Sequence, residues 1–136
     1  MKKVFVVILL LSVTVFALSA CGGVGQPSII DVTMDEFTFA PSEFTILSGR
    51  EITVHATNNG AVLHDFVIFK LGSDPGDHFN NEDLNKVYWQ VKVQPGESLT
   101  VTFTAPTEPG EYSITCGISG HLEAGMIGKL IVVAAE

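Results

Sequence analysis

The stretch Leu99-Thr100-Val101-Thr102-Phe103-Thr104 alternates strictly between apolar and hydroxyl side chains. Successive side chains of an extended backbone point to opposite faces. Leu99, Val101 and Phe103 therefore share a buried face, and the three threonines face outward. Upstream, Ile52, Val54 and Ala56 alternate with Thr53, His55 and Thr57 in the same way. Further strands are expected over 29–33, 44–47, 66–69, 88–93, 111–115 and 128–133. Turn-forming runs separate them: Asn58-Asn59-Gly60, Gln94-Pro95-Gly96-Glu97 and Pro106-Thr107-Glu108-Pro109-Gly110. About eight short strands with regular turns predict an all-β fold, a Greek-key sandwich or barrel. Residues 72–86 break the rhythm. They are polar and acidic, and they read as a long loop with a helical turn near 81–86.

The N-terminal residues carry a different signal. Lys2 and Lys3 precede an apolar run from Val4 to Ala20, the pattern of a secretory signal. Leu18-Ser19-Ala20-Cys21 resembles the lipobox of bacterial lipoproteins, in which the cysteine is lipidated and becomes the first mature residue. The competing reading is an uncleaved membrane anchor, for which this run is short. Cleavage before Cys21 leaves 116 residues, one small domain over 29–136 behind a flexible tether, Gly22 to Ser28. Extended, the tether reaches at most roughly 25 Å, so the domain is expected to work close to an extracytoplasmic membrane surface. The mature chain has five Lys and Arg against fifteen Asp and Glu. Such acidity disfavours nucleic acid. It suits a basic partner steered by long-range attraction, or serves solubility alone.

Cys21 and Cys116 are the two cysteines. Export favours disulfides, but a thioether-linked Cys21 has no thiol to offer. Cys116 is then a free thiol outside the cytoplasm, to be explained by metal binding, catalysis or simple burial. Its surroundings favour metal. The run from Cys116 to Met126 (CGISGHLEAGM) holds a thiolate, the imidazole of His121 and a thioether, and glycines 117, 120 and 125 bend it into a loop. Alternation along 111–115 carries Cys116 onto the inward face with Tyr112 and Ile114. Met126 restarts an inward face shared with Gly128, Leu130 and Val132. His64 precedes the strand 66–69, and so also lies at a strand end. Two histidines, a cysteine and a weakly held methionine are the ligand set of a copper site that carries electrons. His55, on a polar strand face, and His78, in the acidic loop, are expected to stay outside it. Asp65 reads either as an ordinary loop acid or as a carboxylate accepting backbone N–H groups of residues 116–119, tying the two ligand segments together.

With these residues the chain, over about 29–133, resembles the cupredoxins, the small blue copper proteins. Asn58-Asn59-Gly60, His64-Asp65-Phe66, Cys116, Gly120-His121 and Gly125-Met126-Ile127-Gly128 carry the resemblance. It implies one copper held by His64, Cys116, His121 and Met126, and electron transfer without catalysis. Four residues between Cys116 and His121, and four between His121 and Met126, resemble the auracyanin and azurin branch. Asp65 stands where those proteins have asparagine. The family also implies an exposed edge of His121 within an apolar patch, here Val62, Leu63, Ile118 and Leu122, through which a redox partner docks. The expected partner is basic and cytochrome-like, oriented by the acidic loop, with the chain itself a monomer. The alternative is a lipoprotein that stores or delivers copper without redox turnover. An oxidase-type enzyme is disfavoured, because the chain has no His-x-His pair and one domain only.

Overall fold

The computed structural model describes residues 28–136. The signal run, Cys21 and the tether up to residue 27 lie outside the described residues. Nine strands form two sheets packed face to face. The first sheet contains β1 (Ile29–Asp35), β2 (Thr38–Ala40), β4 (Glu51–Asn58) and β7 (Ser98–Thr104). The second contains β3 (Glu43–Leu47), β5 (His64–Phe69), β6 (Val87–Val93), β8 (Gly110–Cys116) and β9 (Ile127–Val133). The orders are β2-β1-β4-β7 and β3-β9-β8-β5-β6. The all-β expectation holds, with one strand more than expected. β2 has only three residues, too short to show an alternation.

Alternation explains the layers. Ile30, Val32 and Met34 of β1 and Ile52, Val54 and Ala56 of β4 are buried from one sheet. Phe66, Ile68, Tyr112, Ile114, Leu130 and Val132 meet them from the other, in a single apolar cluster. Phe66 meets Phe39 of the first sheet edge-to-face at a centroid distance of 5.2 Å, which joins the two layers, and meets Phe44 of its own sheet at 5.7 Å.

β5 departs from the half-buried pattern, since all six of its residues are buried. It lies between β8 and β6, and its outer face is covered as well. Phe79, from the acidic loop, stands edge-on to Phe69 at 6.0 Å. The loop also contains the helical turn, a 3₁₀ turn over Asn81–Lys86. The Asn80 side chain accepts from the Glu82 backbone, Asp83 accepts from the Asn80 backbone, and Lys86 donates to Asp83 at 2.9 Å. Part of the loop's acidity is therefore spent inside the loop.

Candidate metal centre

Strand register brings the donors together. Phe66 of β5 is paired with Cys116, the last residue of β8. His64 lies two residues from Phe66 and so shares its face, just past the end of β8 and diagonal to Cys116. The loop from 117 to 126 brings in the other two. Gly120 and Gly125 have φ values of +85° and +94°, where a side chain would be strained. Gly117 serves differently: a Cβ there would meet an Asp65 carboxylate oxygen at 2.7 Å. The Met126 N–H donates to the His121 carbonyl at 3.0 Å, and the Cys116 N–H to the Met126 carbonyl at 3.1 Å. The loop is thus closed on itself by its own backbone.

Cys116 Sγ lies 3.2 Å from His121 Nδ1 and 3.9 Å from His64 Nδ1, and the two Nδ1 atoms are 3.2 Å apart. A first-row ion such as zinc, bonded at about 2.0 Å to nitrogen and 2.3 Å to sulfur, holds such donors roughly 3.3–3.7 Å apart at tetrahedral to trigonal angles. The three residues are the metal-ligating cluster among the described residues. Burial holds the pKa of both histidines below the ordinary histidine value, and for His64 the neighbouring His121 adds to the effect. Burial thus disfavours the protonated rings, and the neutral ring is the form that donates to metal. Burial pushes the Cys116 thiol up, while the backbone N–H groups of Asp65 and Ile118 act the other way. A buried thiol and two imidazole nitrogens converging at this spacing call for a cation. Met126, fully buried, adds a soft thioether to the same loop, which favours copper over harder ions.

The residues predicted from sequence fall into three groups. His64, Cys116 and His121 meet, with Met126 bonded through its backbone to two of them. His55 and His78 stay away, the first hydrogen-bonded to Thr100 at 2.9 Å and the second exposed. Asp65 is buried on the outer face of β5. Its backbone N–H donates to Cys116 Sγ at 3.3 Å, so the tie between the two ligand segments runs through its main chain. Its carboxylate has one buried oxygen without a partner, and desolvation raises its pKa to about 6.

Two neighbours have no sequence signal. Phe37 stands edge-on to His121 at 4.8 Å and helps leave that ring 7% exposed. Glu36 accepts from the backbone N–H groups of Ala61 and Val62 at 2.6 and 3.1 Å. Both residues sit in the β1–β2 turn, far from the ligands in the chain. Val62 is exposed, whereas Leu63, Ile118 and Leu122 are half-buried. Leu122 lines a shallow groove with Asp74, Pro75 and Ile127.

Comparison with known proteins settles the family. A family model for the cupredoxin-like domain matches residues 6–132. The chain belongs to the cupredoxins. Chloroplastic plastocyanin of Oryza sativa subsp. indica is 31% identical over 122 residues, covering 89% of this chain and 71% of that protein. The copper-resistant cuproprotein CopI of Rubrivivax gelatinosus is 28% identical over 114 residues, covering 79% and 67%. The crystal structure of dithionite-reduced auracyanin from Roseiflexus castenholzii superposes with a TM-score of 0.67 at 31% identity, covering 80% of this cupredoxin and 99% of that chain. The two-sheet sandwich and the His-Cys-His-Met arrangement at its pole support a blue copper protein.

Proposed function

We propose that this cupredoxin is a lipid-anchored one-electron carrier working outside the cytoplasm, with copper held by His64, Cys116, His121 and Met126. The convergence of three buried donor atoms within 4.8 Å of one another carries the reading. Copper in such a site supplies one-electron chemistry, alternating between Cu(I) and Cu(II). The chain's part is rigidity. Cys116 and His64 are fixed by strand pairing, and His121 and Met126 by the closed loop between β8 and β9. A site that cannot rearrange gains and loses an electron with little atomic motion.

The anchor rests on the lipobox at Cys21. Among the described residues no helix is long and apolar enough to cross a membrane. Val62, Leu63, Ile118, Leu122 and the loop carboxylates are the docking residues proposed for a basic, cytochrome-like partner. The likeness to CopI supports a second reading, copper storage or delivery without redox turnover.

The test is to add Cu(II) to the purified full-length protein in detergent and record the visible spectrum. An intense thiolate-to-copper charge-transfer band is expected, and it is lost in Cys116→Ser. A wild-type protein without the band, or a band that survives Cys116→Ser, removes the copper assignment. Reversible voltammetry separates carrier from store. Incorporation of labelled fatty acid that persists in Cys21→Ser removes the anchor.

A further inference from the structure

The geometry points to Glu36 as the positioning residue of His64: its carboxylate is the acceptor for the His64 Nε2–H, fixing the ring so that Nδ1 faces Cys116 and His121. This inference rests on the reading of His64 as a copper ligand and names the residue that holds it.

Three observations carry it. His64 is fully buried, and its Nε2 has no hydrogen-bond partner among the described residues. A buried ring nitrogen left in that state is costly, and metal-bound histidines almost always donate their second N–H to a carboxylate, carbonyl or water. Glu36 Oε1 lies 3.9 Å from that nitrogen, within ion-pair reach but beyond a hydrogen bond. The glutamate is itself held in place. Its Oε1 accepts from the Ala61 and Val62 N–H groups, on the segment leading into His64. Gly60 completes the arrangement, because a Cβ there would collide with the Glu36 carboxylate. The carboxylate thus has a fixed place beside a buried donor. Donation from Nε2 leaves the Nδ1 lone pair free for metal, and the nearby negative charge makes the imidazole a stronger donor.

The test compares wild-type, Glu36→Gln, Glu36→Ala and Gly60→Ala full-length proteins in detergent. It reads Cu(II) affinity by chelator competition, reduction potential by voltammetry, and exchange of the His64 Nε2–H by NMR in the diamagnetic Cu(I) form. Glu36→Ala is expected to lose about 10- to 100-fold in affinity and to expose the Nε2–H to rapid exchange. Glu36→Gln keeps a neutral acceptor for the 61–62 backbone but removes the charge. It is expected to lose less affinity and to raise the potential, since the charge favours Cu(II). Gly60→Ala, which displaces the carboxylate without deleting it, should move affinity in the same direction as Glu36→Ala. Should Glu36→Ala fail to fold, Glu36→Gln decides. An unchanged potential in Glu36→Gln, with Nε2–H exchange as in wild type, overturns the inference and leaves Glu36 as a brace for the loop. A wild-type protein without the charge-transfer band overturns the copper-ligand reading itself, and this inference with it.

Discussion

At the scale of single residues the site depends on softness and burial. Met126 is fully buried, so its substitution tests ligand chemistry and packing together. Met126→Gln places a harder oxygen donor beside the thiolate, which favours Cu(II). The expected outcome is a lower reduction potential with the charge-transfer band retained, measured by voltammetry and absorption. The copper-free protein should lose about 1–3 kcal/mol in denaturant unfolding, the cost of a buried, poorly partnered amide. Phe37 offers a cleaner separation. It is 38% exposed and contacts the His121 ring edge. Phe37→Ala should therefore leave stability nearly unchanged while opening His121 to solvent. Faster reduction by small external reductants, read by stopped-flow bleaching of the band, is expected. An unchanged rate would show that Phe37 does not limit access.

At the scale of elements, β5 carries both the core and the first donor. Phe66 is paired with Cys116 and wedged against Phe39 and Phe44. Phe66→Ala should cost about 3–5 kcal/mol and weaken copper retention, visible as a lower melting temperature and slow bleaching. The 3₁₀ turn makes a pH prediction. The Lys86 hydrogen bond, with the Asn80 backbone, holds Asp83 below its ordinary 3.8, and the same pair holds Lys86 above its ordinary 10.5. A depressed acid stabilises above its unfolded pKa and loses that contribution as pH falls through its folded one. A raised base stabilises below its unfolded pKa and loses that contribution as pH rises through its folded value. The turn should be firmest between the two ordinary values. Proteolytic nicking of 80–86 should rise at acid pH in wild type, whereas Asp83→Asn should show no such dependence.

Legibility in the sequence followed the same physics. Alternation revealed β4, β7 and β8, and with them the inward aim of Cys116 and the place of Met126. It failed for β2, which is too short to alternate, and for the outer face of β5, where burial from both sides removes the polar half of the pattern. Glu36 and Phe37 left no trace because their contacts come from a turn in the opposite sheet, and neither spacing nor period encodes such a meeting. The main-chain role of Asp65 was equally hidden, since any residue type supplies an N–H.

At the scale of the whole molecule, charge and anchoring set how the site is used. The chain carries fifteen acidic residues against seven basic ones. Exchange with a basic partner should slow by about tenfold or more between low and high salt, as measured by stopped-flow. Salt independence would assign the acidity to solubility alone.

The β1–β2 turn belongs to one sheet, and the donors it touches belong to the other. Through Glu36 and Phe37 the first sheet rests directly on the two histidines held by the second. The colour of the loaded protein is therefore a gauge of alignment between the sheets. A lesion in β1 that lets the layers slip should show as a shifted absorption spectrum before any strand unravels.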